Sequence, residues 1–314
     1  MNRAADEDAM KDGGLDAETA AEKGRKATAL WMKCQSSVSR LSEELCEQLR
    51  IIIEPTLTTQ LKGDYRTGKR INMKKVIPYI ASQFKKDKIW LRRTRPQKRQ
   101  YQVLLAIDDS ESMQQNHAGG MALEALALIS GALSRLEIGD IGVLRFGATP
   151  ALVHDFSTTF TDADGADVLA QFSFTQKATD ITQLSRAVVH FLDTSKAALS
   201  TNSTGVQYQQ IVFIISDGRF ADKSGLKQWI HEAETRHMLI VFVIIDDVSV
   251  TKNGSSNSIL QLKTVSYPGG KLKVTSYMDD FPFPFYVVLR DIATLPETLA
   301  SALRQWFELT KNTD

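Results

Sequence analysis

The sequence predicts an α/β fold built on a doubly wound, mostly parallel sheet flanked by helices. Two apolar runs, 104–107 and 211–215, are typical of buried parallel strands, and polar residues follow each run directly. From Gln102 onward, strand-like runs alternate with amphipathic helical patterns, which indicates βαβ units around one sheet. A content of 43% hydrophobic and 24% charged residues is that of a soluble globular protein.

Composition divides the 314 residues into three parts. Residues 1–29 are rich in Ala, Asp, Glu and Gly, so we expect a disordered acidic tail there. Residues 30–99 predict a helical, basic N-terminal extension, and residues 100–314 predict the sheet domain. An insert at about 248–280 forms an irregular β excursion before the last strand, and we expect it to widen a partner interface or to dock on a larger assembly.

The extension combines one helix with a basic segment. Apolar residues spaced three and four apart predict the helix over 30–52. Within the basic segment 62–99, the stretch 63–70 imitates a phosphate-binding loop, but Arg70 stands where a hydroxyl must bind Mg²⁺. We interpret 63–70 as a connector to a short helix at 73–84. Because aromatic residues are sparse, the basic segment favours a docking or solvated surface over RNA contact, although RNA binding stays an alternative.

The sheet domain should contain six strands and five helices. The strands are predicted at 104–107, 141–146, 151–154, 211–215, 239–245 and 286–289. The helices are predicted at 120–136, within 159–174, and at 180–199, 225–237 and 295–309. The first, fourth and fifth strands are the most apolar and should be central, while 151–154 should pair as a short edge strand.

A cluster of oxygen-bearing side chains follows the first strand. Asp108, Ser110 and Ser112 form the pattern D-x-S-x-S. Alternate residues in a loop can direct their oxygens at one point, and a carboxylate with two hydroxyls suits a hard cation such as Mg²⁺. The alternative is a turn and helix cap, for which Asp and Ser are also favoured.

Two later stretches favour the metal interpretation. Thr179 precedes a long helical pattern, and Asp217 lies in a Ser-Asp-Gly sequence directly after the second buried strand. In this order, the three motifs resemble the metal-ion-dependent adhesion site of von Willebrand factor A domains. The resemblance implies that Ser110, Ser112 and Thr179 contact Mg²⁺ directly and that Asp108 and Asp217 hold it largely through water. Mn²⁺ or Ca²⁺ could substitute, and an acidic residue of a partner would complete the metal's shell.

Further stretches resemble the carboxyl-terminal domain of the giant nuclear AAA-type ATPases of large ribosomal subunit assembly. They are GDYRTGKRINM at 63–73, IPYIAS at 77–82, KIWLRR at 88–93 and FPFP at 281–284. The resemblance implies a nuclear and nucleolar protein-binding domain, with ATP bound only in other parts of the longer protein. The implied partners are ubiquitin-like domains of WD-repeat assembly factors, the pre-60S particle and the AAA ring of its own full-length chain.

Other function classes receive less support. Haloacid-dehalogenase phosphatases also place an aspartate at a strand end, but they require D-x-D, and Ser110 holds the second position here. No other nucleophile or general base is evident, so we expect no enzyme activity from this chain. A net charge of +1 makes no general case for nucleic acid or membrane binding, and no apolar stretch approaches the roughly 20 residues that span a bilayer. Cys34 and Cys46 are too far apart on one helix to bond.

Overall fold

A computed structural model describes residues 4–53, 61–93, 100–115, 118–137, 139–200, 208–220, 225–236, 238–246, 258–266 and 273–311. The end of the predicted basic segment, 94–99, lies outside these residues. So do 248–257 and 267–272 of the predicted insert.

The first helix, α1, extends from Ala4 to Ile53. The structure therefore has helix over 4–29, within the segment that the sequence predicted to be a disordered tail. Ala, Glu and Lys are strong helix formers, so a segment that has few apolar residues to bury can still continue a helix that packs further along. The predicted helix over 30–52 is confirmed as the packed part of α1, and its stripe also includes Trp31.

The basic extension contains a small antiparallel sheet that the sequence analysis missed. Its strands are β1 (Leu61–Tyr65), β2 (Arg70–Ile71) and β3 (Trp90–Arg93), in the order β1-β3-β2. The predicted short helix is present as α2 (Met73–Ala81), which Asn72 caps. These strands are short and rich in Lys and Arg, so they show neither the alternation nor the apolar run by which strands are recognised. The extension is therefore not purely helical.

The main sheet confirms the predicted α/β class. Its strands are β4 (Gln100–Asp108), β5 (Gly139–Phe146), β6 (Ala151–His154), β7 (Tyr208–Ser216), β8 (Leu239–Ile245) and β11 (Tyr286–Leu289). Their order is β11-β8-β7-β4-β5-β6, and β6 alone in this order pairs antiparallel. The three most apolar strands, β4, β7 and β8, are all interior, as predicted.

Helices cover both faces of this sheet. They are α3 (Glu111–Gln115), α4 (Ala118–Leu136), α5 (Asp162–Gln171), α6 (Ile181–Ser200), α7 (Leu226–Thr235) and α8 (Leu295–Lys311). Val103 and Leu105 of β4 pack with residues of α4, α5 and α8, whereas Leu104 and Ala106 pack with α6 and α7. This alternation follows from the two-residue period of a strand, so every residue of β4 between the two helical layers is buried.

The helix α1 belongs to the same core as the main sheet. Its residues Leu45 and Leu49 join the cluster that contains Val103 of β4 and Leu303 of α8. The predicted boundary near residue 100 therefore does not separate two cores. Both cysteines are on the buried side of α1 and carry free thiols, and burial raises the pKa of each thiol.

Helix α4 is long and apolar enough to cross a membrane by length and composition alone, and no other helix in the described ranges is. Here it packs on the sheet, with eleven of its residues buried, Ala122, Leu126 and Ile129 among them. Its apolar character is thus accounted for by a position in the protein core.

The predicted β excursion before the last strand is confirmed. It contains the antiparallel pair β9 (Lys263–Ser266) and β10 (Lys273–Ser276), with short 3₁₀ helices at Ile259–Gln261 and Tyr277–Asp280. Because Phe283 is buried among Phe242 and Trp229, the end of the excursion is anchored in the core below β8.

Candidate metal centre

The candidate site lies at the carboxyl ends of β4 and β7, which are neighbouring parallel strands. From β4 the chain passes to β5 on one side and later returns to β7 on the other, so the strand order reverses at this point. Ligands of open α/β sheets bind in the crevice that such a reversal creates. Asp108 ends β4 and Asp217 directly follows β7, so the fold brings both predicted carboxylates to this crevice.

Asp108 is fully buried and bonded on both carboxylate oxygens. The backbone N–H of Ser110 donates to its Oδ1 at 2.9 Å, and the Ser216 hydroxyl donates to its Oδ2 at 2.6 Å. Burial raises the pKa of Asp108 to about 6, and the nearby charge of Asp217 also raises it, whereas both hydrogen bonds lower it. Burial and the neighbouring negative charge both disfavour the ionised carboxylate, and a bound cation would relieve both effects.

The two serines of the motif have the spacing that a metal shell requires. Ser110 Oγ and Ser112 Oγ lie 2.9 Å apart. Two adjacent oxygens of an octahedral Mg²⁺ shell, each about 2.1 Å from the ion, are separated by about 3.0 Å. Without a metal the two hydroxyls can share a hydrogen bond, and their separation already suits direct coordination. The donor set of neutral hydroxyls and carboxylates also suits a hard cation.

Asp217 is held by a turn that requires glycine. Its Oδ1 accepts a hydrogen bond from the Arg219 N–H at 3.1 Å, while the Gly218 N–H donates to Ser216 Oγ at 3.2 Å. Gly218 has φ +73°, and a Cβ there would lie 2.9 Å from Ile259 Cδ1. The Ser-Asp-Gly sequence is therefore a compact turn whose conformation only glycine adopts without strain.

Thr179 is placed by the loop that precedes α6. Asp180 caps this helix, because its Oδ1 accepts from the N–H groups of Thr182 at 2.9 Å and Gln183 at 3.0 Å. The Asp180 N–H donates to the Gly147 carbonyl at 2.9 Å, beyond the end of β5. Thr179 thus lies at the start of α6, as predicted, and is half-buried at the same edge of the sheet.

Asp109 fastens that loop to the D-x-S-x-S motif, a role that the sequence analysis did not assign. Its Oδ1 accepts from the N–H groups of Ser173 at 2.8 Å and Phe174 at 2.6 Å, and its Oδ2 accepts from Gln176 Nε2 at 3.2 Å. The Arg145 guanidinium lies 3.4 Å from Oδ2. The signal for this role was present, since a second carboxylate at the end of a buried strand needs partners of its own.

The excursion also contacts the site. The Tyr277 hydroxyl donates to the Gly218 carbonyl at 2.8 Å and accepts from the Phe220 N–H at 3.2 Å. At the end of β8, Asp246 accepts from Ser258 Oγ and from the Ile259 N–H, each at 2.7 Å. The residues around Gly218 are thus packed between β7 and the excursion. Asp246 was assigned no ligand role from the sequence, and its oxygens are used in anchoring the excursion.

The candidate site combines few carboxylates with several hydroxyl oxygens. Within the described part of the chain, no group of three or more His, Cys, Asp or Glu side chains is placed to hold a metal ion. The candidate site has two such groups, Asp108 and Asp217, and depends on hydroxyl oxygens for the remainder. Two carboxylates would balance the charge of a dication and leave it able to accept one more anionic ligand.

The chain is similar to two midasins over most of its length. It is 50% identical to midasin from Dictyostelium discoideum over 287 residues, and this alignment covers 91% of the chain. It is 40% identical to midasin from Giardia intestinalis over 279 residues, and this alignment covers 87% of the chain. The chain spans only 5% and 6% of the lengths of these two proteins. No protein-family model matches the chain.

Solved structures resemble the fold more distantly. BatB from Bacteroides thetaiotaomicron aligns with 66% of the chain and 99% of its own at 14% identity, with a TM-score of 0.43. Proximal thread matrix protein 1 from the mussel byssus, in a form with a zinc-occupied MIDAS motif, aligns with 65% of the chain and 47% of its own at 12% identity and a TM-score of 0.43. At these scores the likeness supports no conclusion about this chain's site.

Proposed function

Because the chain is homologous to a segment of midasin, we propose that it is a metal-dependent protein-binding domain of a midasin-type protein. The observation that carries the proposal is the pair of serine hydroxyls, Ser110 and Ser112, 2.9 Å apart beside the buried Asp108. With Thr179 and Asp217, these residues would hold one divalent cation. Mg²⁺ is the cation that this oxygen donor set favours, with Mn²⁺ or Ca²⁺ as substitutes.

The remaining coordination position would take a carboxylate from a partner protein. The cation would supply Lewis acidity there, and the chain's own residues would position it with two carboxylates and otherwise neutral hydroxyl oxygens. A single carboxylate bond to a metal makes recognition depend on one acidic residue of the partner. Removal of either the metal or that residue should therefore abolish the interaction.

The partner we propose is a ubiquitin-like domain of a WD-repeat ribosome assembly factor. The homology with midasin supports this proposal. The family resemblance implies that this domain binds assembly factors that must be removed from the pre-60S particle. A nuclear and nucleolar location, and an association with the AAA ring of the longer protein, follow from the same proposal. ATP would be bound in other parts of that protein.

A hydrolase is the alternative class, and the site argues against it. Asp108 carries hydrogen bonds on both oxygens and is fully buried, which leaves it poorly placed to attack a phosphoryl group. Ser110 stands where the acid partner of a dehalogenase-type nucleophile would be. We propose that the open metal position serves binding and not catalysis.

The test is a calorimetric titration of the chain with the ubiquitin-like domain of an assembly factor, once in Mg²⁺ and once in EDTA. We expect binding only in Mg²⁺, and no binding by the Asp108→Ala variant in either buffer. Asp193→Ala is the matched control, because Asp193 is an exposed carboxylate on α6 that pairs with Arg236. This control should bind as the wild type does.

Binding of equal strength in both buffers would contradict the metal site while retaining the partner. Binding in neither buffer, by a folded chain, would contradict the proposed partner. Metal binding is measured separately by titrating Mg²⁺ into the chain alone, so the two parts of the proposal can fail independently. Phosphatase activity on a generic aryl phosphate, lost in Asp108→Ala, would overturn the binding assignment in favour of the hydrolase.

A further inference from the structure

Helix α2 presents an apolar stripe to solvent. Met73, Ile77 and Ile80 follow one another at spacings of four and three residues, which places them on one side of the helix, and Phe84 lies in the turn that follows it. Their exposed fractions are 75%, 77%, 59% and 63%, and α2 contains no buried residue. Because α2 buries none of its residues, packing within the described part of the chain does not account for apolar side chains on one of its faces.

The turn after α2 adds to the stripe at a conformational cost. Gln83 and Phe84 both adopt left-handed backbone conformations, with φ of 52° and 66°. Such values are uncommon for a non-glycine residue and unfavourable for a bulky one. The Phe84 N–H donates to the Tyr79 carbonyl at 3.0 Å, and the two rings pack edge to face at 5.1 Å. The turn thus keeps an exposed aromatic ring beside α2.

Positive charge surrounds the stripe. Residues 61–93 contain eleven Lys and Arg but only two acidic residues, Asp64 and Asp87. Both acidic residues are already engaged, Asp64 by Lys75 and Asp87 by Arg66 at 3.0 Å. Exposed lysines at 74, 85, 86 and 88 therefore border the apolar residues with a positive charge that these two carboxylates do not balance.

We propose that α2 and its C-terminal turn form a docking surface for an acidic amphipathic helix of a partner protein. The exposed aliphatic side chains would bury an apolar face of that helix, and the surrounding lysines would meet Asp or Glu residues beside it. This surface is distinct from the candidate metal centre, since it belongs to the segment 61–93 and uses none of the site residues. It therefore provides a second binding specificity that requires no metal.

The apolar stripe distinguishes this partner from RNA. RNA-binding surfaces combine basic residues with aromatic rings on which bases stack, and they do not need aliphatic side chains. Three of the four residues in the stripe are aliphatic. A helix of nine residues spans about 13 Å, which matches two turns of a partner helix laid along it.

The test uses the whole chain and a synthetic helical peptide with Leu along one face and Glu and Ala elsewhere. Fluorescence anisotropy would compare this peptide with a scrambled one in which the same Leu residues do not share a face. We expect the amphipathic peptide to bind more tightly, equally in Mg²⁺ and EDTA, and more weakly as salt rises. Ile77→Gln combined with Ile80→Gln should weaken binding by about tenfold or more.

The matched control is Met32→Gln, because Met32 on α1 is also an exposed apolar residue, with an exposed fraction of 62%. Its peptide affinity should stay within about twofold of the wild type. Since Ile77 and Ile80 are exposed, their replacement should leave the melting temperature unchanged. Equal binding of both peptides, or unchanged binding by the Ile77 and Ile80 variant, would overturn the proposal. Tighter binding of an oligouridine, unaffected by that variant, would assign the basic surface to RNA instead.

Discussion

Asp108 and Asp109 are adjacent, both fully buried and surrounded by opposite environments. Asp108 has hydroxyl and amide partners and the negative charge of Asp217 nearby, whereas Asp109 has two backbone N–H groups, an amide and the Arg145 guanidinium. The first environment disfavours the ionised carboxylate, an effect that a bound cation would relieve. The second is a satisfied anion site that fixes a loop.

Metal binding should weaken as the pH falls through about 6, because burial raises the pKa of Asp108 from 3.8 to about 6. Below this value the metal-free protein holds a proton on Asp108 that a cation must displace, so the apparent affinity falls with acidity. Calorimetric titration of Mg²⁺ in two buffers of different ionisation enthalpy would measure both the affinity and the proton release. An affinity that is independent of pH between about 7.5 and 5.5 would contradict this assignment.

The variants Asp108→Asn and Asp109→Asn should affect the metal-free protein in opposite directions at neutral pH. Asp108 ionises more easily in the unfolded chain, where its pKa is 3.8, than in the folded protein, where its pKa is about 6. The free energy of unfolding therefore falls as the pH rises from 3.8 to about 6. The neutral Asp108→Asn variant avoids this loss and should melt at a higher temperature than the wild type. Asp109→Asn would place an N–H₂ donor against groups that are themselves donors, either Gln176 Nε2 or the Ser173 and Phe174 N–H groups. The loss of these hydrogen bonds should lower the free energy of unfolding by about 1–3 kcal/mol.

Thermal denaturation in EDTA at neutral pH would measure both effects, and each variant serves as the other's control. Both should bind Mg²⁺ more weakly, Asp108→Asn because it loses a carboxylate and Asp109→Asn because the loop that carries Thr179 is released. An Asp108→Asn protein that melts at a lower temperature than the wild type would contradict the argument that the raised pKa of Asp108 lowers the free energy of unfolding.

At the scale of elements, the excursion before β11 is joined to the metal centre through few groups. The Tyr277 hydroxyl bonds to Gly218 and Phe220, which follow Asp217 in the chain. Asp246 with Arg290 fastens the start of the excursion to the ends of β8 and β11. The excursion therefore helps to determine where Asp217 lies. Whatever binds the excursion would be energetically linked to the metal through this contact.

The variant Tyr277→Phe should weaken Mg²⁺ binding severalfold while the fold is retained, since two hydrogen bonds of about 1 kcal/mol each are lost. Titration of Mg²⁺ into the variant would measure this. Tyr286→Phe on β11 is the matched control, because its ring is exposed and packs against Phe281 in the same region. A Tyr277→Phe protein with wild-type Mg²⁺ affinity and a lowered melting temperature would show that the contact is only structural.

At the scale of the whole molecule, α1 completes the core although it precedes the sheet domain by nearly fifty residues. Trp31 packs against α5 so closely that a Cβ on Gly165 would lie 2.3 Å from its ring, and it meets Phe160 edge to face. Cys34, one turn further along α1, is buried by the same packing. The packed part of α1 is thus a structural part of the sheet domain.

The variant Gly165→Ala should force α1 away from α5 and speed the labelling of Cys34 by a thiol reagent. In the wild type, burial protects the thiol and raises its pKa, so labelling should be slow under native conditions. Gly120→Ala is the matched control, since no atom lies within 4 Å of a Cβ at that helical position. It should raise the free energy of unfolding by about 0.5–1 kcal/mol and leave labelling slow. Equal labelling rates in the two variants would contradict the described packing of α1.

The sequence by itself determined which strands are central in the main sheet and where the helices between them lie. It also determined the candidate site residues, which are Asp108, Ser110, Ser112, Thr179 and Asp217. These features are local, because apolar runs, helical periodicity and turn residues are written in consecutive residues. Other stretches indicated a resemblance that the similarity to two midasins supports.

Tertiary structure decided what depends on residues far apart in the chain. The small antiparallel sheet, the burial of α1 in the main core, the role of Asp109 and the contact between Tyr277 and Gly218 all rest on such pairs. No periodicity reveals which distant amide a carboxylate will accept from, since that partner is set by how the loops pack. The exposed stripe on α2 belongs here too, because an amphipathic pattern predicts a buried face, and only the fold shows that this face is exposed among the residues the structure describes.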